Sequence, residues 1–278
     1  MHKSTLFVFL SAVFFALGGL FFKIIPWDAL AISSARSLLA AGSIYIFLRL
    51  RHHKFRITPS VLIAAASISV TNSLYAVANK LTTAGNAIVL QFSMPAFVIL
   101  IMLVVFHKKP TRLELGTCAA VLLGIVCFFV DSFSSGSLAG DAAALISGVS
   151  YACFFIFNSR EDSDPFTAIL LSYIVTTLVG LPSLLRTDVF GSSPQTLLAV
   201  LALGLLQQGA GQICFALGIQ GTSAVAAGLI SGIEPILNPL LVAVFYHELL
   251  TPLSLVGAGI VLLSVMGYNY LTAVRKPA

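Results

Sequence analysis

The sequence predicts an all-α membrane protein with ten transmembrane helices, and two observations support this fold class. Of the 278 residues, 58% are hydrophobic and only 9% are charged, whereas soluble domains carry about 25% charged residues. The apolar residues also form long continuous runs, such as "AIVLQFSMPAFVILIMLVVF", and not the alternating segments of about ten residues that membrane β-barrels require. Composition and pattern therefore argue against both a soluble fold and a barrel.

Windows of about 20 residues, the length that crosses the hydrocarbon core as a helix, locate ten candidate spans. Their bounds are roughly 4–25, 29–48, 60–79, 84–106, 113–131, 139–158, 166–185, 195–218, 222–246 and 252–272. Little sequence remains for loops between these spans. We therefore expect one integral membrane domain that is surrounded by the lipid bilayer and carries no soluble domain.

The cationic residues lie mainly on one side of the predicted membrane. The side that holds both termini carries Lys3, Arg49, Arg51, Lys54, Arg56, Lys108, Lys109, Arg112, Arg160, Arg275 and Lys276. The other side carries only Lys23, Lys80 and Arg186, and Arg36 falls inside a span. Short loops rich in Lys and Arg stay in the cytoplasm, so we expect both termini to be cytoplasmic. This topology accounts for the net charge of +5, and no nucleic-acid partner is needed.

Two segments of the chain, 82–124 and 222–264, align without a gap. The least common matches are Pro95 with Pro235, His107 with His247 and Thr111 with Thr251. The repeat unit is five spans, which gives a first repeat at 1–131, a linker at 132–140 and a second repeat at 141–278. Because five is odd, the second repeat is expected to be inverted in the membrane. Inverted repeats are typical of secondary transporters, which bind solute near the midplane between the repeats.

Several motifs resemble those of a known family. The fourth span of each half carries a small-x-x-polar pattern before a proline ("AIVLQFSMP", "AGLISGIEP"), and a Leu/Gly-rich fifth span follows. Span two carries Arg36, and His247 and Glu248 follow span nine. Together these features resemble the EamA-type ten-transmembrane-helix transporters of the drug/metabolite transporter superfamily. The resemblance implies alternating access and export of small organic metabolites, and the short C-terminus favours a bacterial inner (plasma) membrane.

Glu234 is the only charged residue in the predicted span 222–246, and Pro235 and Pro239 lie beside it. A charge at a span centre costs roughly 2.5–3.5 kcal/mol and usually faces a cavity or a partner. We therefore interpret Glu234 as a substrate-binding and proton-coupling residue; a protonated glutamate that bonds a neighbouring helix is the alternative. Each proline removes a backbone hydrogen bond, so we expect helix kinks at Pro235, at Pro239 and at the aligned Pro95.

Polar residues at helical spacing extend the candidate lining of the site. In span three, Asn72, Tyr75 and Asn79 share one helical face. The complete set of predicted substrate-binding residues is Asn72, Tyr75, Asn79, Gln91, Tyr151, Asn158, Gln208, Gln212, Ser231, Glu234 and Asn238. Hydrogen bonding between helices is the alternative role for each of them. A polar but mostly uncharged lining suits an amino acid or another zwitterionic or amphipathic metabolite.

Three cations are candidates for charged or gating roles. Arg36 lies about 12 Å from the outer end of span two, at 1.5 Å per residue. It can reach the outer headgroups by snorkelling, pair within the protein or bind a substrate carboxylate. Lys23 and Lys80 lie at the outer ends of their spans, where they can anchor the helices at the interface or gate the outer mouth.

The sequence contains no catalytic set, no metal-binding cluster and no P-loop. We therefore predict no enzyme activity, no cofactor and no ATP-driven transport. The predicted function is secondary-active transport of a small-molecule solute, with export as the direction that the resemblance implies. An uncoupled facilitator or a translocator of amphipathic or lipid-like solutes is the alternative. The oligomeric state is left open, a monomer included.

Overall fold

The structure is a computed structural model that describes residues 3–135, 137–222, 227 and 230–275. Within these ranges every regular element is a helix, and nine stretches are long and apolar enough to cross a membrane. The all-helical membrane class is therefore confirmed. The predicted span 222–246 lies only partly in the described ranges, where the 13-residue helix Glu234–Tyr246 covers its second part.

We number the helices in chain order. They are α1 Lys3–Ala16, α2 Gly18–Ile24, α3 Ala29–Leu50, α4 Pro59–Leu81, α5 Ala84–Phe92, α6 Met94–Val104, α7 Arg112–Ser135, α8 Leu138–Asn158, α9 Pro165–Arg186, α10 Pro194–Leu201, the π-helix π1 Ala202–Ala210, α11 Gly211–Ile219, α12 Glu234–Tyr246 and α13 Pro252–Arg275. The first predicted span is thus built from α1 and α2, the fourth from α5 and α6, and the eighth from α10, π1 and α11.

Capping side chains define where several of these helices begin. Thr58, Thr83 and Ser193 each accept a hydrogen bond from a backbone N–H in the first turn of α4, α5 and α10. Asp28 and Asp164 do the same for α3 and α9. Hydroxyl and carboxylate side chains are favoured at this position because they satisfy backbone donors that have no partner inside the helix.

At Pro95 and Pro235, where kinks were expected, the structure has a helix boundary. Each proline lies at the second residue of a new helix, α6 or α12, and the α-helical hydrogen-bond pattern is interrupted just before that helix. The reason is that proline lacks an N–H, which costs nothing in a first helical turn, where that N–H has no partner. Pro239 lies inside α12, where a kink is the expected consequence.

Helices of the two halves are packed against each other. The four most extensive contacts join α4 to α8, α3 to α9, α7 to α13 and α1 to α11, so each contact pairs a first-half helix with a second-half helix. Small residues permit close approach: a Cβ on Gly180 of α9 would lie 2.3 Å from the Leu30 carbonyl oxygen of α3. Such small residues are common where membrane helices approach closely.

Three histidines end helices in a left-handed backbone conformation. His52, His107 and His247 have φ values of 52°, 53° and 54° and follow α3, α6 and α12. Left-handed residues close helix C-termini by bonding free carbonyl groups, and the His247 N–H donates to the Ala243 carbonyl at 3.1 Å. His107 and His247, which align in sequence, therefore share an uncommon backbone geometry.

Candidate functional site

Arg36 is enclosed in the centre of the bundle. Only 2% of the residue is exposed. Its guanidinium lies 4.8 Å from the centre of the Phe22 ring, and Nη2 donates to the Asn72 carbonyl oxygen at 3.2 Å. The snorkelling alternative for Arg36 is therefore wrong, because the ring and the carbonyl hold the side chain inside. Among the described residues Arg36 has no ion-pair partner, and its Nε has no hydrogen-bond partner.

Arg36 belongs to a group of buried polar side chains with unsatisfied atoms. Each has at least one buried nitrogen or oxygen that bonds to nothing in the described ranges. We call the following residues of α3, α4, π1 and α12 the central polar cluster: Arg36, Asn72, Tyr75, Asn79, Gln207, Gln208 and Asn238. An unsatisfied buried polar atom costs about 1–3 kcal/mol, and most such atoms in proteins have partners. Their concentration therefore marks this cluster as a candidate binding site for a polar ligand.

The π-helix π1 places two glutamines in the cluster. Gln207 and Gln208 are buried, and Nε2 of Gln208 donates to Oδ1 of Asn72 at 3.2 Å. The repeat alignment pairs Asn72 with Gln212, which is half-buried in α11 and has no hydrogen bond to Asn72 in the structure. A π-helix holds more residues per turn than an α-helix, and such segments are frequent at functional sites. Gln208 of this segment therefore supplies a contact between the two halves.

Asn238 packs against the glycine pair of the first span. A Cβ at Gly19 would lie 2.3 Å from Oδ1 of Asn238, and a Cβ at Gly18 would lie 3.4 Å from Nε2 of Gln207. Asn238 is fully buried, and neither polar atom of its amide makes a hydrogen bond of normal geometry in the described residues, although the Tyr75 hydroxyl lies close enough to interact with it. Glycine at these positions thus lets the two amides approach the backbone of α2.

Glu234 lies deep among the helices and keeps part of its surface exposed. Within the described ranges its carboxylate has no hydrogen bond and no ion pair. The hydroxyls of Tyr75 and Tyr151 lie close enough to interact with its charge. An unpaired carboxylate among the helices is the placement expected of a residue that contacts solute or a proton.

Two predicted lining residues contact neighbours outside the cluster. Nε2 of Gln91 donates to Oγ of Ser147 at 3.3 Å, which joins α5 to α8. Tyr151 stacks on Phe154 with ring centres 6.0 Å apart, and its hydroxyl lies within the range of the Glu234 charge. Gln91 therefore has the interhelical contact named as its alternative, whereas Tyr151 lies beside the site.

Three further predicted residues lie away from the cluster contacts. Asn158 is the last residue of α8, at the opposite end of that helix from Asp141, and its Oδ1 has no partner in the described residues. Gln212 and Ser231 are half-buried, and neither makes a hydrogen bond to a cluster member. Asn158, Gln212 and Ser231 are therefore not part of the cluster. The predicted residues that the structure does bring together are Asn72, Tyr75, Asn79, Gln208 and Asn238, with Glu234 and Tyr151 beside them.

Lys23, a predicted gating candidate, forms an ion pair at the outer end of the bundle. Its Nζ lies 2.7 Å from Oε2 of Glu248 and donates to the Thr82 carbonyl at 3.3 Å. The second oxygen of Glu248 accepts from the Ala84 N–H at 2.7 Å. These bonds connect the end of α2, the start of α5 and the loop after α12 at the end of the bundle that the sequence predicts to be the outer one.

The same end contains a buried carboxylate whose contacts are satisfied. Asp141 is fully buried, and it accepts from Oγ1 of Thr82 at 2.5 Å and from Nδ2 of Asn86 at 3.2 Å. Beside it, Nζ of Lys80 donates to the Ile25 carbonyl at 2.5 Å. Both Lys23 and Lys80 therefore contact backbone carbonyls of neighbouring segments at this end.

Two helix-capping carboxylates tie α3 to α9. Asp28 caps α3 and accepts from Oγ of Ser183 at 2.6 Å, and this bond is the main reason that the pKa of Asp28 lies below its usual value. Asp164 caps α9 and lies 2.9 Å from Nε2 of His53. Burial raises the pKa of Asp164, but hydrogen bonds from Thr167 and His53 outweigh burial and bring the pKa below its usual value.

Two grooves on the outside of the bundle lie away from the central polar cluster. One, of about 300 Å³, runs between α7 and α13, and the other, of about 460 Å³, runs between α3 and α9. Their linings are mainly apolar, and neither includes a cluster residue. We assign no solute site to them because a polar solute requires hydrogen-bonding groups that converge. In the described part of the chain no group of three His, Cys, Asp or Glu residues is placed to hold a metal ion.

Some residues that shape the site are missing from the sequence prediction. Phe22 contacts both the guanidinium of Arg36 and the ring of Tyr75, with ring centres 6.1 Å apart. Gly19 makes room for the Asn238 amide. A phenylalanine among many apolar residues carries no signal in the sequence. The Gly18–Gly19 pair in an apolar span was the one available signal, because glycine often marks a close approach of helices.

The chain was compared with known families, proteins and solved structures. The profile of the EamA-like transporter family matches it twice, over residues 2–130 and 138–270. A Bacillus subtilis (strain 168) protein named "Uncharacterized transporter YwfM" is 26% identical over 272 residues, which cover 94% of this chain and 92% of that protein.

A solved structure described as "Crystal structure of protein" aligns with a TM-score of 0.67 at 16% identity, over 98% of this chain and 99% of that one. At this identity the likeness concerns the fold alone. The resemblance drawn from the motifs is confirmed by the family match, which covers both halves. The chain is an integral membrane protein and belongs to the EamA-like transporter family.

Proposed function

We propose that this protein is a secondary-active exporter of small organic metabolites such as amino acids, coupled to protons through Glu234. Solute would bind at the central polar cluster and reach each side of the membrane in turn. Both termini would lie in the cytoplasm of a bacterial cell, with the transporter in the inner membrane. This proposal is narrower than membership of the transporter family, which specifies neither solute, coupling nor direction.

The observation that carries the proposal is the central polar cluster. Each member carries a buried polar atom without a hydrogen bond in the described ranges, and the bond from Gln208 to Asn72 joins the two halves at the cluster. In lipid, a polar atom without a partner costs several kcal/mol. A transported polar solute would satisfy these atoms while it is bound and release them when it leaves.

The helix packing supports alternating access between inverted repeats. If the halves are inverted copies, α1–α2 corresponds to α8, α3 to α9, α4 to α10–π1–α11 and α7 to α13. Under this correspondence the α3–α9 and α7–α13 contacts map onto themselves, and the α4–α8 contact maps onto the α1–α11 contact. These are the four most extensive contacts in the structure. A transporter built in this way can exchange two equivalent arrangements by rocking around a fixed site.

Glu234 is the group that we assign to coupling. It is a carboxylate inside the bundle, lies within electrostatic range of the cluster residue Tyr75, and makes no ion pair in the described ranges. Asp141 is a fully buried carboxylate as well, but Thr82 and Asn86 donate hydrogen bonds to it. A carboxylate without fixed partners can exchange a proton as solute binds and leaves.

The test is counterflow in proteoliposomes with a panel of labelled amino acids and related metabolites, each measured at two imposed pH gradients. We expect exchange of one solute class, with accumulation that follows the gradient and collapses when a protonophore is added. Exchange that ignores the gradient would contradict the coupling and favour a facilitator. If no solute exchanges above the rate in protein-free vesicles, the proposed substrate class is wrong.

A further inference from the structure

We propose that Arg36 binds the carboxylate group of the solute, so that the site selects solutes that carry a carboxylate. The assignment rests on the proposed function, because it concerns the same site. It adds a specificity-determining residue and an orientation for the solute: the carboxylate lies against α3 and α4, and the remainder of the solute extends towards α12.

Arg36 is a deeply buried cation that has no anionic partner in the described part of the chain. Lys23 pairs with Glu248 at 2.7 Å, and Arg160 lies 3.8 Å from Asp162. Arg36 is more deeply buried than either of them, yet within the described ranges it has one carbonyl oxygen and one aromatic ring as partners. A buried charge is retained in proteins when a partner compensates it. A solute anion is the partner that fits this position.

The unsatisfied atoms around Arg36 complement a carboxylate. Three of them are hydrogen-bond donors: Nε of Arg36, Nδ2 of Asn72 and the hydroxyl of Tyr75, which makes no hydrogen bond of normal geometry but lies within reach of the Asn79 and Asn238 side chains. Asn72 already uses its Oδ1 to accept from Gln208, so its amino group is the part left to donate. Two carboxylate oxygens can accept all three hydrogen bonds. The planar guanidinium fits this planar group well, whereas a doubly charged phosphate would leave a net negative charge beside a single arginine.

Other unsatisfied atoms complement an amino group. Oδ1 of Asn79, Oε1 of Gln207 and Oε1 of Gln208 are acceptors without partners in the described residues. The carboxylate of Glu234 is also unpaired there. Tyr75 lies within electrostatic range of both Arg36 and Glu234. This arrangement suits a zwitterion with its carboxylate at Arg36 and its ammonium group towards Glu234.

The experiment compares three solutes that share one side chain: leucine, leucinamide and isoamylamine, together with the corresponding phenylalanine set. Each unlabelled compound competes with the labelled amino acid that the wild-type protein exchanges fastest in counterflow. Because a site built for a polar group rejects analogues without it, we expect the amide and the amine to compete at least about tenfold more weakly than the amino acid. Equal competition by all three would overturn the assignment and leave the transport proposal intact.

The variant Arg36→Gln should lose this preference, with amide and amino acid competing within about threefold of each other. Arg186→Gln, an exposed arginine at the outer end of α9, is the matched control and should keep the wild-type preference. A preference that survives in Arg36→Gln would overturn the role of Arg36.

Folding is checked by size-exclusion chromatography and thermal stability. If Arg36→Gln does not fold, Tyr75→Phe, which removes one donor beside Arg36, should narrow the preference, and an unchanged preference would count against the site.

Failure of this inference and failure of the proposed function are distinguishable. Flux without a carboxylate preference rejects the role of Arg36 alone. Absence of flux for every compound in the panel rejects the proposed substrate class and the inference with it.

Discussion

The fourth predicted span and the part of the ninth that the structure describes share a backbone feature but differ in chemistry. In the first half, Met94–Pro95 begins α6 after the break at Ser93, and in the second half, Glu234–Pro235 begins α12. Near the first break the polar groups have partners: Oγ of Ser93 donates to the Leu90 carbonyl, and Sγ of Cys118 lies 3.6 Å from the Ala96 carbonyl oxygen. At the second break a carboxylate has no partner in the described residues.

The comparison of the two breaks distinguishes polar side chains that join helices from polar side chains that we assign to solute binding or coupling. Gln91, beside the first break, bonds to Ser147, and Asn238, one turn beyond the second break, has two unsatisfied atoms. The same side-chain chemistry therefore joins helices in one half and faces the site in the other. Whether such an amide joins helices or faces the site therefore depends on the side chains around it and not on its position within the repeat.

The largest effect is expected for Glu234→Gln. We expect gradient-driven accumulation to fall at least about tenfold, because glutamine cannot carry the proton, while counterflow without a gradient stays within about threefold of wild type. Glu161→Gln, the same change at an exposed loop position, is the control and should leave both rates unaltered. Transport that still follows the pH gradient in Glu234→Gln would remove Glu234 from the coupling step and weaken the contrast between the two breaks.

An intermediate effect is expected from two amide substitutions compared side by side. Asn238→Ala should raise the half-saturating solute concentration by about tenfold with little loss of stability, because its amide makes no hydrogen bond of normal geometry in the described residues. Gln91→Ala should lower the free energy of unfolding by about 1 kcal/mol through the lost bond to Ser147, and should change the half-saturating concentration by less than about threefold. Both variants are measured by counterflow and by thermal unfolding. An equal loss of transport in the two variants would contradict the difference in role between Asn238 and Gln91.

The smallest effect concerns the capping contacts at the two ends of the α3–α9 pair, the contact of Asp28 with Ser183 and the contact of Asp164 with His53. Because the pKa of Asp164 is lower in the folded protein, its ionised form stabilises the fold above the unfolded pKa, about 4. That stability is lost as the pH falls through the lower folded value. Asp164→Asn should lower the melting temperature at pH 7 by about 2–4 °C and should reduce the further fall in melting temperature at acidic pH. The measurement is the melting temperature of both proteins from pH 3 to 7. Parallel profiles for wild type and variant would contradict the prediction.

Several features of the site were predictable because each depends on a local rule. Arg36 and Glu234 stood out because charges are rare inside spans. Asn72, Tyr75 and Asn79 stood out because their spacing places them on one helical face. The partners of Gln91 and Asp141 were not predictable, since a hydrogen bond between helices depends on how those helices approach each other. The π-helix that brings Gln208 to Asn72 gave no signal in the sequence for the same reason.

The sequence by itself determined the all-helical membrane class and the family, since apolar run length and motif spacing are properties of the chain alone. It also located the interior charges. Only the tertiary structure decided which polar residues have partners, that Arg36 lies inside against Phe22, and that Lys23 pairs with Glu248. The physical reason is that membrane helices form from local hydrogen bonds within each segment. A binding site, in contrast, depends on distances between side chains of helices that lie far apart in the sequence.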